Sequence, residues 1–154
     1  MGRIISWLLV SGLAIGVMIA FVGPATAQGV DHGKVYTKAE VEQIIKVVED
    51  HADKFRKLVD KELDKSILDG TKREDSINEQ VKDLEKALDA LKAKFDKSDT
   101  WMETRSEVAD VLREAADING LFRLRTYGKV RAGWEILRVE INKLAGIYNL
   151  PHLK

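Results

Sequence analysis

Between Thr37 and Tyr148 the apolar residues recur at steps of three and four, and no proline interrupts them. Such steps return to one face of an α-helix, whereas a half-buried strand needs alternation at two. The chain's two prolines, Pro24 and Pro151, bracket the stretch, and no alternating run rich in Val, Ile and Thr suggests a strand. The pattern restricts the stretch to amphipathic helices that each bury one stripe. Four stripes can be traced. Val41, Ile44, Ile45, Val48, Ala52, Phe55, Leu58, Val59 and Leu63 make the first. Ile77, Val81, Leu84, Leu88, Leu91 and Phe95 make the second. Trp101, Val108, Val111, Leu112, Ala115 and Ile118 make the third, and Val130, Trp134, Leu137, Ile141, Leu144 and Tyr148 the fourth.

Start and stop signals divide these stripes. Thr37-Lys-Ala-Glu40 has the form of a capping box, the hydroxyl accepting a free amide and the carboxylate reaching back. It predicts a first helix over about 38–67. Leu68-Asp-Gly70 is the expected stop, because Gly takes the left-handed conformation common at helix ends. Thr71-x-x-Glu74 and Ser76-x-x-Glu79 both offer a start for the second helix, which is expected to fray near Lys97. Thr100-x-x-Glu103 opens the third and Asn119-Gly120 is its expected stop. Residues 121–127 either connect the last two helices or extend one of them, and Pro151 ends the fold. Short links favour antiparallel neighbours, so the expected fold is all-α: an antiparallel up-down-up-down four-helix bundle over 37–150, with a tail at 151–154. A three-helix arrangement with the last two helices divided differently is the alternative.

One phrase occurs twice, 33 residues apart: Trp101-x3-Arg105-x-Glu107-Val108 and Trp134-x3-Arg138-x-Glu140-Ile141. Trp and the residues seven and ten further on share a helix face. Arg four residues on neighbours the indole, so its stem can cover the ring while the charge reaches water. Glu107 and Glu140 lie on another face, and the Arg and Glu positions can bridge neighbouring helices. Duplication and coincidence both account for the repeat.

The first residues say where the chain goes. A single cation, Arg3, precedes an uncharged run from Ile4 to Val22, then Pro24 and Ala25-Thr26-Ala27. Small residues three and one before Gln28 complete the layout of a secretory signal peptide over 1–27. The alternative is an uncleaved inner-membrane anchor over 4–22, close to the roughly 20 residues that span a bilayer. Either way the rest is expected outside the cytoplasm, periplasmic or extracellular. Residues 28–36 hold two glycines and no apolar pattern, and read as a flexible leader.

Composition excludes several classes. There is no Cys, hence no disulfide, thiolate metal site, attached c-type haem or lipidated cysteine. Bases and acids balance at 25 each, so no global field draws in nucleic acid, which is not an expected partner.

Segments of 52–150 resemble an uncharacterised family of secreted bacterial helical proteins. The resemblance rests on AxxFRKxVDxxLDxS at 52–66, LDGTKREDSIN at 68–78, VKDLEKALDALKAKF at 81–95 and WEILRVEINKLAGIYNL at 134–150. It implies export and a helical bundle. It implies no activity, cofactor or catalytic residue.

Chemistry-bearing residues are few. His32, His51 and His152 are the only imidazoles, and no Glu stands three residues before His51 as a di-iron bundle would need. Ser66, Ser76, Ser98 and Ser106 read as caps or helix surface, and there is no Gly-x-Ser-x-Gly elbow or Gly-rich phosphate loop. Neither an enzyme nor a cofactor or metal is expected. The expectation is a secreted or periplasmic non-catalytic bundle acting as an interaction, structural or envelope-stress module. Its partner would be a protein or an envelope component, with membrane contact only if the N-terminal segment stays uncleaved. The first candidate contact surface is Phe122, Arg123, Arg125, Tyr127, Lys129 and Arg131, where cations interleave with aromatics. A plainer account of that segment is that Phe122 and Tyr127 close the end of the core. The charged flank of the first helix is the second candidate surface. The alternative function is a small-molecule or metal carrier, whose ligand would sit between helices in a cavity shared by His51, Trp101 and Trp134.

Overall fold

The computed structural model describes residues 34–66, 69–123 and 128–154. Four α-helices follow one another: α1 (Lys38–Leu63), α2 (Lys72–Lys97), α3 (Arg105–Arg123) and α4 (Gly128–Ile147). A 3₁₀ turn over Trp101–Thr104 leads into α3, and the described residues contain no strand. α1 packs most extensively on α4 and α2 on α3, while α1–α2 and α3–α4 contacts close the ring. The protein is an all-α four-helix fold.

The ends of the helices show how the ring is arranged. The Lys38 ammonium, at the start of α1, donates to the Ser98 carbonyl at the end of α2 and lies over the Phe95 ring. Trp101, before α3, meets Tyr148, just beyond α4, with ring centroids 5.1 Å apart. At the other end, Lys129 of early α4 pairs with Glu62 of late α1 at 3.7 Å. These pairings bring the start of α1 to the end of α2, the approach to α3 to the end of α4, and the start of α4 to the end of α1.

The stripes supply the core. Every stripe residue is buried except Ile44, Leu58 and Trp101, which are half-buried. Toward the Lys129–Glu62 end Phe55 meets Phe122 edge-on at 5.7 Å and Trp134 at 5.5 Å. Aromatic contacts of this kind favour offset or edge geometry, because the ring face is negative and the edge positive. One buried polar pair interrupts the core at its opposite end. Thr104, fully buried, has its Oγ1 2.8 Å from the Tyr148 hydroxyl and donates to the Trp101 carbonyl at 2.8 Å. Burial pushes the Tyr148 phenol above its ordinary pKa.

The caps account for the helix starts and correct several expected ends. Thr37 and Glu40 form the expected box, and Thr37's main-chain N–H donates to the Glu40 carboxylate at 2.9 Å. Those hydrogen bonds hold Glu40 below the usual carboxylate range, as the Thr100 amide and hydroxyl do for Glu103. Between the two nested starts of α2, Thr71 is the cap and Ser76 lies inside the helix. Glu74 reaches past the cap residue to accept from the Gly70 N–H at 2.7 Å. α1 ends at Leu63 rather than near 67, where its buried stripe runs out. The Asn119-Gly120 pair does not stop α3, which continues to Arg123. Burial of Phe122 against Phe55 outweighs the roughly 1 kcal/mol that an interior Gly costs a helix. The first turn of the third helix is 3₁₀ rather than α. α4 closes on Asn149 in the left-handed region (φ 51°), with the Leu150 N–H returning to the Ala145 carbonyl at 3.0 Å.

Candidate functional site

The basic–aromatic segment divides on inspection. Phe122 is not a surface residue: its ring is 2% exposed in the core. Its hydrophobic face belongs to the stripe because α3 runs one turn further than Asn119-Gly120 suggested. The Arg123 side chain, Arg125 and Tyr127 lie outside the described residues. Lys129 and Arg131 are exposed at the start of α4, Lys129 leaning on Glu62. Further along α4, Ile136 and Val139 expose 55% and 48% of their surface. Residues 129, 132, 136, 139 and 143 recur at steps of three and four, so they share one outer face of that helix. The face joins two cations at its ends, Lys129 and Lys143, to two large aliphatics in its middle.

His51, Trp101 and Trp134 do not meet. Trp134 is buried against Phe55, and its indole N–H donates to the Asn119 amide oxygen at 3.0 Å. Trp101 is half-buried at the opposite end, donating its indole N–H to the Tyr36 carbonyl at 3.0 Å. Trp101 meets Tyr148 edge-on, fourteen positions after Trp134, which separates the two indoles by roughly 20 Å along α4. His51 sits at the rim of α1 with Nδ1 2.9 Å from the Val47 carbonyl. A cavity of about 320 Å³ lies elsewhere, between the outer faces of α2 and α3. Ala87 and Ala90 line it, and the ion pairs Asp83–Lys86 (2.7 Å) and Asp110–Arg113 (2.6 Å) hold its charges within each helix.

The two copies of the Trp-Arg-Glu phrase play different parts. One indole fills the core and the other seals an end. Nor do their Arg and Glu residues bridge helices in the expected way. Arg138 pairs with Glu135 on its own helix at 2.5 Å, and Glu140 with Lys143 on that helix at 2.8 Å. Bridging of that kind does occur elsewhere, where Arg56 of α1 meets Glu85 of α2 at 2.5 Å. Burial nevertheless raises the Glu85 pKa more than the guanidinium lowers it. Glu49, on the same α1–α2 face, is likewise raised by burial, against the pull of Lys92.

What both arginines do share is a main-chain carbonyl near the end of the chain. Arg105 Nε donates to the Tyr148 carbonyl at 3.2 Å, and Arg138 Nη1 to that of Leu153, also at 3.2 Å. The expected tail is in fact docked. It folds back beside α4, with Leu150 and Leu153 partly buried against the core. The Asn142 amide binds Leu153 twice, accepting from its N–H at 2.8 Å and donating to its carbonyl at 3.1 Å. Asn119 Nδ2 donates to the Lys154 carbonyl at 2.8 Å. Asn119 thus serves as a bridge between Trp134 and the tail. A signal for this was present: Asn142 follows Arg138 by one helical turn, and two leucines flank Pro151-His152. The leader is also partly docked, since Tyr36 packs on the core and Lys34 lies 4.6 Å over its ring. His32 and the segments 1–27 and 4–22 lie outside the described residues.

Among the described residues no group of three or more His, Cys, Asp or Glu side chains is placed to hold a metal ion, and no helix is long and apolar enough to cross a membrane. No family model, curated protein or solved structure matches the chain. The resemblance drawn from the four segments above rests on those residues alone.

Proposed function

We propose that this is an exported, non-catalytic helical bundle that works by binding a protein or another envelope component. The observation that carries the reading is the outer face of α4, where Ile136 and Val139 stand exposed one turn apart between Lys129 and Lys143. The stripe of α4 lies in the core, so this pair on its outer face is apolar surface that the core does not use; Val35, Val47 and Met102 are exposed singly elsewhere. Lys129, from the basic segment 123–131 of the sequence, begins that face. Thr37, Thr71 and Thr100 serve as caps, and Asp83–Lys86 and Asp110–Arg113 pair within their own helices. Export is supported by the Arg3, Ile4–Val22 and Ala25-Thr26-Ala27 layout and by the resemblance to secreted helical proteins.

Two measurements test this. Intact mass of the protein recovered from the cell envelope should begin at Gln28; a mass that includes Met1 assigns the anchored form instead. Envelope proteins cross-linked to the wild-type chain should be lost from an Ile136→Asp/Val139→Asp variant and from an Arg123→Ala/Arg125→Ala variant. Unchanged cross-links in both, with unchanged helical circular dichroism, would overturn the assignment of the surface.

A further inference from the structure

We propose that the groove between α3 and α4 is a reader of extended peptides, that residues 150–154 are its resident occupant, and that a partner protein's segment with leucines three residues apart displaces them. The carrying observation is how the tail is held. The hydrogen bonds from Asn142, Arg138 and Asn119 all go to the main chain of Leu153 and Lys154, and to none of the tail's polar side chains. The Asn142 side-chain amide does for Leu153 what a neighbouring β-strand would do, taking its N–H and giving to its C=O. Recognition through the main chain, with pockets for spaced apolar side chains, is how sheet edges take in peptides. Here side chains on helices supply the same donors and acceptor.

The apolar half of the recognition comes from Leu150 and Leu153, both partly buried against the core. Pro151 and His152 between them are exposed. The groove therefore selects for two leucines and a free main chain, while the His152 ring lies over Gly146 of α4. A resident tail on so short a tether holds its groove at an effective concentration on the order of millimolar. A partner's segment must exceed that, which makes the tail a threshold against weak competitors. Trp134 senses occupancy, because its indole N–H is bonded to the same Asn119 amide that holds Lys154. This groove is separate from the outer face of α4, and its failure leaves the binding reading of that face intact.

The test uses the purified chain and a fluorescein-labelled peptide of residues 149–154. In the variant Leu153→Asp the tail is driven out by its buried charge. Fluorescence anisotropy should show the peptide binding that variant at least tenfold more tightly than the wild type, whose groove is filled. Adding Asn142→Ala should remove at least tenfold of the affinity, and a peptide with both leucines changed to aspartate should not bind. The Trp134 indole N–H resonance should move on releasing the tail and return on adding the peptide. If Leu153→Asp loses its helical signal, Leu153→Ala takes its place with the same expected order. Absence of binding to a folded tail-released variant would overturn the proposal. So would equal binding to Leu153→Asp and to the Leu153→Asp/Asn142→Ala double variant. A concentration-dependent wild-type dimer that Leu153→Asp abolishes would also overturn it, assigning the groove to a second copy's tail.

Discussion

Gly120 and Gly70 make a matched pair of perturbations. A Cβ added at either would meet nothing within 4 Å, so replacement by alanine changes no packing. Only the backbone differs. Gly70 has φ +70°, a left-handed conformation that costs an L-residue about 1–2 kcal/mol. Gly120 lies inside α3 with no positive φ, where alanine is better than glycine by about 0.5–1 kcal/mol because the unfolded chain loses less freedom. Gly120→Ala should therefore stabilise the protein and Gly70→Ala should destabilise it. For a domain of this size about 1 kcal/mol shifts Tm by roughly 3–5 °C. The expected changes are a rise of roughly 2–5 °C and a fall of roughly 3–10 °C. Thermal unfolding followed by circular dichroism at 222 nm, with urea titrations to check that m is unchanged, measures both. The pattern Asn-Gly read from sequence alone as a helix stop forecasts a loss at Gly120, so the sign decides between the two. A lower Tm for Gly120→Ala would show that α3 ends there and that Phe122 reaches the core by some other path.

Phe122→Ala should cost about 3–5 kcal/mol, because a fully buried ring is removed from the cluster with Phe55 and Trp134. Urea unfolding that puts the loss below about 1 kcal/mol would return Phe122 to the surface. At the other end, Thr104→Val should cost about 1–3 kcal/mol by leaving the buried Tyr148 hydroxyl unpaired, and more than Tyr148→Phe, which leaves Thr104 its Trp101 carbonyl. Equal losses would contradict that hydrogen-bond order. Glu40 and Glu103 have folded pKa values below their unfolded ones, so their contribution is present above the unfolded pKa and is lost as pH falls through the folded one. Glu40→Gln keeps a reaching oxygen at the cap but cannot titrate, so Tm measured from pH 6 to 3 should fall less steeply than in the wild type. A parallel curve would remove Glu40 from the acid response.

The helices and nearly all of the core were legible before any coordinates. Amphipathic spacing is a local property, and one face of a helix is buried whatever it packs against. The stripe from Val41 to Leu63 and the one from Ile77 to Phe95 needed no partner to be recognised, and the boxes at Thr37 and Thr100 act within three residues. Where local signals competed, sequence did not decide. Asn119-Gly120 has the chemistry of a stop, but the next turn carries a Phe that another helix buries. Thr71 and Ser76 are equivalent as caps until the chain between α1 and α2 is placed and Gly70 offers its N–H to Glu74.

The site depended on tertiary structure almost entirely. A Trp followed by Arg four residues on looks the same at 101 and 134, yet one indole lies in the core and the other seals an end, according to which helix end faces it. Asn119, Arg138 and Asn142 are ordinary polar residues of helix surfaces until residues 150–154 fold back over them. Their partners lie 11 to 35 positions away, beyond the reach of any periodicity. The sequence by itself determined that the chain is helical and which face each helix hides, because helix periodicity and capping are set within a turn or two. Which polar residues converge was decided only by the packing of those helices, since bringing them together takes long-range closure that local preference does not encode.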